Sequence, residues 1–230
     1  MMNISINTNT STLSLTERLA KEREEKDEKL ASGKKINSAA DDAAGLQIAN
    51  RLTAQSNGYQ QLSYNSQDQI NINQVQSGQL SSISESLQRA NELAIQSGNP
   101  VSDSGAIQAE FDQLTEEINA IAGEVLDDPS FLSGLDANDP VATQTAIEDA
   151  FTTISETSAG LGASSNVLED QVSTYETTRV NVNASRSRIE DTDYAQTTSE
   201  QQQAGVLLQS AVINKKDEES RKGLLINQLV

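Results

Sequence analysis

The chain has 230 residues, of which 35% are apolar and 3% aromatic, with no Trp; there is too little bulk here for a thick globular core. It has no Cys and no His, which excludes disulfides, thiol nucleophiles, His-based triads and zinc sites built from those ligands. The net charge of −18 argues against a nucleic-acid partner, because phosphate would be repelled.

Residues 1–12 are polar and read as a flexible start without the charged and apolar regions of a cleaved secretory leader. A first helix is expected from about Ser11 or Ser14, with Leu15 and Leu19 on one apolar edge. Residues 21–29, KEREEKDEK, carry no apolar side chain, and Ala31-Ser32-Gly33 reads as a break. Asp41 and Asp42 are placed to cap a second helix through their carboxylates, with Gly33 and Gly45 serving tight backbone geometry.

That second helix is expected to run to about Ser97, ended by Gly98-Asn99-Pro100. Ile83, Leu87, Ala90 and Ala94 follow a regular spacing, whereas Ile70, Ile72 and Val75 share no single stripe. In the next helix Ile107, Phe111, Leu114, Ile118, Ile121 and Val125 form a heptad seam. Residues 126–141, rich in Pro, Gly and Asp, read as a loop.

Alternating steps of four and three from Ile147 then predict one long helix over about 142–190. They land on Phe151, Ile154, Ser158, Leu161, Ser165, Leu168, Val172, Tyr175, Arg179, Val182, Arg186 and Ile189. The two arginines in this seam are expected to snorkel out of it, the alternative being pairing with acids on a neighbour. Glu190, Asp191 and Asp193 lack the spaced oxygen ligands of a calcium loop and read as a solvated acidic face, as do Asp127-Asp128 and Asp136 with Asp139. A last helix begins near Thr197. Its apolar edge is followed by the wholly polar stretch 215–222, KKDEESRK, then by Leu224, Leu225, Leu229 and Val230.

The two ends mirror each other. An antiparallel pairing through Leu15, Leu19, Leu224, Leu225 and Leu229 would set Leu15 beside Leu229 and Glu25 beside Glu218. The two charged bands would then meet and fix the register. The plainer alternative, which is preferred, is two solvated bands with ordinary i,i+4 pairs.

Three stretches carry a family resemblance. Residues 30–52, LASGKKINSAADDAAGLQIANRL, 87–97, LQRANELAIQS, with IQAE at 107–110, and 185–195, SRSRIEDTDYA, resemble the signature segments of bacterial flagellins. The likeness extends over nearly the whole chain. It implies an all-α fold, a long antiparallel helical bundle with paired terminal helices and little or no β-structure. It implies residues 1–45 and 190–230 as the halves of an inner core domain and 46–189 as a helical rod with a short tip loop. This is the form of a minimal flagellin without variable outer domains.

Functionally, the resemblance implies a subunit that polymerises into the flagellar filament for motility, extracellular and exported without a cleaved leader. Its partners would be further copies of itself, the export apparatus, an export chaperone, and hook-associated and cap proteins, with no nucleic acid, no membrane and no cofactor. On that analogy Arg89, Leu93 and Glu110 match a contact surface for an innate immune receptor of animal hosts. Lateral packing between subunits is the preferred role for the same three. The free subunit is expected to have unstructured ends. A minor flagellin or hook–filament junction protein is the nearest alternative. A non-polymerising coiled-coil binding protein is a second class, and an enzyme a distant third.

Overall fold

The structure, a computed structural model, describes residues 8–227, with side chains from 15 to 221. It contains five helices: α1 (Thr8–Ser32), α2 (Ala39–Ser97), α3 (Ser104–Val125), α4 (Pro140–Glu190) and α5 (Tyr194–Asn227). No strand occurs among the described residues, and the sole β-type pairing there is an isolated antiparallel bridge between Lys34 and Asp191. The all-α expectation therefore holds, with paired terminal helices α1 and α5.

The chain divides into two compact units: residues 58–178, and residues 1–57 together with 179–230. The divisions fall inside α2 and α4. The segments 46–57 and 179–189 are tied to each other. Ser56 Oγ donates to Asn183 Oδ1 at 2.9 Å, and Arg186 Nη1 reaches Thr53 Oγ1 at 3.5 Å.

In the unit 58–178, three elements and a loop enclose an apolar core. Asp103 caps α3, its carboxylate accepting from the N–H groups of Gly105 and Ala106. Ile107, Phe111, Leu114, Ile118 and Ala122 then turn inward. Phe111, Ile118, Ile83 and Leu87 are completely enclosed, packed with Leu80, Ala90, Leu93 and Ala94 of α2 and with Ile147, Ala150 and Ile154 of α4. At its end the α3 seam passes to Ala122, leaving Ile121 and Val125 half-buried. A straight helix of 3.6 residues per turn drifts off a strict seven-residue repeat.

The segment after α3 is a loop as expected, but it is also part of the core. Leu132, Leu135 and Ala137 are buried, and Asn119 fixes the loop by donating to Leu132 O and accepting from Leu132 N–H, at 2.8 and 2.7 Å.

Away from this core the α2 and α4 seams of the same unit become polar. Ser63, Ser66 and Asn73 are buried, with Asn73 Nδ2 within 3.3 Å of the hydroxyls of Ser164 and Ser165. The rings of Tyr59 and Tyr175 stack 6.2 Å apart. All thirteen seam positions foreseen for α4 are buried or half-buried. Ile72 and Val75, which fitted no stripe, face outward.

Charge is divided as sharply as packing. Residues 58–178 hold nineteen acids and one base, Arg89, a net of −18, while the other unit holds fifteen of each.

Candidate functional site

The unit of residues 1–57 and 179–230 carries the two features that bear on function: a knot of loops and a helix pair. The knot begins where α1 stops. Gly33 adopts φ +71°, a left-handed conformation that suits glycine, and its N–H donates back to Lys29 O at 3.0 Å. The strand-like segment that follows pairs with the end of α4. Lys35 N–H donates to Glu190 O at 2.7 Å, and Thr192 N–H donates to Gly33 O at 3.0 Å. Tyr194 Oη donates to Leu30 O at 2.7 Å, so the first turn of α5 is pinned to the last turn of α1.

Inside the knot, the Glu190 side chain is 11% exposed and lies 2.5 Å from Lys34 Nζ and 3.8 Å from Arg186 Nε. Asp191 accepts from the Ser187 hydroxyl, and Asp193 caps α5 by accepting from the N–H groups of Ala195 and Gln196. The solvated acidic face expected at 190–193 is thus corrected: each carboxylate has a structural partner. Burial of Glu190 follows from the two cations that neutralise it. Arg186 does not snorkel free. It stays in the seam against Thr53 and Glu190, with a buried Nε that lacks a hydrogen-bond partner.

Asp41 and Asp42 divide the capping work. Asp42, extended at φ −162° and ψ 99°, accepts from Gly45 N–H at 2.9 Å and is the true cap of the helical run. The Asp41 carboxylate instead closes the preceding loop, accepting from Ser38 N–H at 2.9 Å and Asn37 N–H at 3.0 Å. Those bonds, Ser38's first, hold its carboxyl below the usual range. Gly45 serves close approach. A Cβ there would lie 2.4 Å from Asp42 Oδ2 and 2.7 Å from Ile36 Cδ1.

The second feature is the antiparallel pair of α1 and α5. Its seam is thin: Leu19 and Ala204 are its buried apolar side chains among the described residues. Lys26 forms an ion pair with Glu200, and Gln201 Nε2 donates to Asp27 Oδ1 at 2.5 Å. The hydrogen bond from Lys26, then that from Gln196, holds the Glu200 carboxyl below the usual range. Leu15 lines a groove with Ala211, Asn214, Asp217, Glu218 and Arg221. This register sets Leu19 near 208 and Lys26 at 200. An ordinary i,i+4 pair, the preferred reading of the band, occurs between Arg23 and Asp27 at 3.9 Å, while the alternative that set Glu25 beside Glu218 is therefore off by about four and a half helical turns. The cause is local: the knot holds Leu30 against Tyr194, and the antiparallel register counts outward from there. Leu224 and Leu225 lie beyond the described side chains and Leu229 beyond the described residues, so their pairing is untouched by these contacts.

In the other unit, Arg89 Nε donates to Glu110 Oε1 at 2.7 Å across α2 and α3 on the surface. Leu93, expected beside them, is buried in the apolar core.

Fold and surfaces together define an all-α chain whose terminal helices pair. Residues 6–132 match the bacterial flagellin N-terminal helical region, and residues 144–214 match the bacterial flagellin C-terminal helical region. Flagellin of Halalkalibacterium halodurans is 33% identical, aligned over 80% of this chain and 83% of its own length. The flagellar filament 41 kDa core protein of Borreliella burgdorferi is 46% identical over 42% of this chain and 30% of its own. Flagellin B of Vibrio cholerae is 44% identical over 53% and 34%. The chain belongs to the bacterial flagellin family and is a structural subunit of the extracellular flagellar filament.

Proposed function

We propose that the α1–α5 pair is the polymer-forming part of this subunit and that it gains most of its stability from neighbouring copies. The observation that supports this is the thin seam. Among the described side chains, 15–32 of α1 and 194–221 of α5, two buried apolar side chains and one ion pair do little to hold the helices together in water. Val206, Leu207, Val212 and Ile213, all more than half exposed on α5, offer apolar surface for neighbours to cover.

On this reading the subunit leaves the cell through the flagellar export apparatus without loss of a leader, helped by an export chaperone, and is placed by hook-associated and cap proteins. The lack of Cys suits a chain that travels unfolded. Arg89 and Glu110 serve as a lateral contact between copies. A host innate immune receptor would meet those two side chains and not the buried Leu93.

Negative-stain microscopy of the purified chain tests the reading. Filaments are expected, and more of them as salt rises from low to moderate, because the net −18 of residues 58–178 opposes close packing. Amorphous or monomeric protein at every salt concentration would exclude a polymerising subunit and leave the coiled-coil binding protein.

A further inference from the structure

The observed register leaves a matched pair of surfaces unused within the subunit. Residues 21–29 carry four positive and five negative charges; residues 215–222 carry four positive and three negative. The first band faces the stretch of α5 around Glu200, Gln203, Ala204 and Leu207, where Glu200 is the sole charged residue. Of its nine charges, only Lys26 and Asp27 bond to the described side chains of α5. The second band faces the start of α1, where residues 8–16 are uncharged. No ion pair to any side chain of 215–221 occurs among the described residues, although Asp217, Glu218 and Arg221 line an open groove with Leu15. The centres of the two bands stand about 16 residues apart along α5, or about 25 Å at the helical rise.

We infer that the two bands are complementary docking surfaces for a second copy of this chain: the 21–29 band of one subunit meets the 215–222 band of a neighbour displaced by about 25 Å along the helix axis. Three observations carry this. Each band has mixed charge of opposite net sign, each stands opposite an almost uncharged stretch of its own partner helix, and their separation is fixed by the knot at Gly33, Glu190 and Tyr194. A single exposed pair contributes little. Several pairs in series still distinguish one stagger from its neighbours. With Glu25 level with Glu218, the residues Glu22, Lys26, Asp27 and Glu28 stand level with Arg221, Asp217, Lys216 and Lys215, and a slip of four residues, about one turn, halves the number of opposite-charge pairs between the bands. The bands would thus set the axial offset between subunits while apolar contacts supply the adhesion.

The inference rests on the filament reading, and two experiments separate them. The chain has no Cys, so an introduced pair reports without background. Glu25→Cys with Glu218→Cys, oxidised after assembly, is expected to give ladders of covalently linked copies from filaments and unlinked chains from unassembled protein. Glu22→Cys with Glu218→Cys covers a stagger shorter by about one turn.

In parallel, Glu22→Lys with Glu24→Lys and Glu28→Lys makes the first band strongly basic, so that it repels a second band of net positive charge. Lys215→Glu with Lys216→Glu and Arg221→Glu makes the second strongly acidic, so that it repels a first band of net negative charge. The first triple change is expected to raise the subunit concentration needed for filaments about tenfold at low salt. Both triple changes together are expected to restore assembly. Filaments from the Cys variants without linked copies in either pair, or charge variants that assemble like the parent chain singly and together, would overturn the inference. Failure of the parent chain itself to form filaments would instead overturn the filament reading.

Discussion

The apolar core of residues 58–178 and the α1–α5 pair are both helix packed on helix, yet they are held in different ways. In the first, Phe111, Ile118, Ile83 and Leu87 lose all contact with water, and even the loop after α3 contributes Leu132 and Leu135. In the second, the seam is Leu19, Ala204 and a few polar contacts. The difference shows that helical content says little about where stability lies. Burial decides it, at about 25 cal/mol per Å² of apolar surface, and the described side chains of α1 and α5 bury little against each other.

The contrast breaks most visibly at Phe111. Phe111→Ala should cost about 3–5 kcal/mol by emptying the middle of the core, read as a lower urea midpoint of helicity. Shifts near 1 kcal/mol would mean that the core is less tightly filled than the enclosed ring implies.

Next comes the knot. Glu190→Gln removes the carboxylate shared by Lys34 and Arg186 and leaves the guanidinium in the seam without its anion, at a cost of about 2 kcal/mol. Thermal unfolding measures it. An unchanged midpoint would assign Arg186 to solvent.

The third test has the opposite sign. Gly78 sits mid-helix in α2 with nothing within 4 Å of where a Cβ would be, so Gly78→Ala should stabilise α2 by about 0.5–1 kcal/mol. A loss of stability would reveal a close neighbour at that position.

The smallest effect is that of pH on the α1–α5 pair. The Glu200 carboxyl is held below its ordinary value in the folded chain. Its stabilising effect is therefore complete above the unfolded value of about 4.3 and is lost as pH falls through the folded one. Asp41 acts in the same sense on the loop before α2. Acid titration of helicity in the parent chain and in Glu200→Gln should converge at the lowest pH and separate above it.

Much of the fold was legible in the sequence, for a physical reason. In α3 and α4 the inward positions are marked by apolar residues, and period and burial coincide, as at Ile107, Phe111, Ile147 and Ile154. In α2 before Leu80 the mark weakens. Ser56, Ser63, Ser66 and Asn73 occupy the inward stripe and bond across it or pack as small groups, while Ile72 and Val75 point out. Reading apolar residues alone therefore scrambles that stretch.

The register of the ends was misplaced for a related reason. Matching charged bands suggested one height, but hydrogen bonds of the Gly33–Glu190 knot, invisible to any pattern of side chains, set another. The one legible clue was the glycine at 33, which marks where the chain turns. The acidic run 190–193 looked solvated because sequence gives composition and not the cations, Lys34 and Arg186, that fold against it.

Amide hydrogen exchange resolved by residue, on the unassembled chain and on filaments, probes the dependence of α1 and α5 on neighbours. In the unassembled chain, residues 80–94 and 107–122 should exchange slowly while 15–30 and 199–221 exchange quickly, and in filaments the latter should become as slow as the former. Protection of 15–30 and 199–221 in the unassembled chain equal to that of α3 would contradict a pair that owes its stability to assembly.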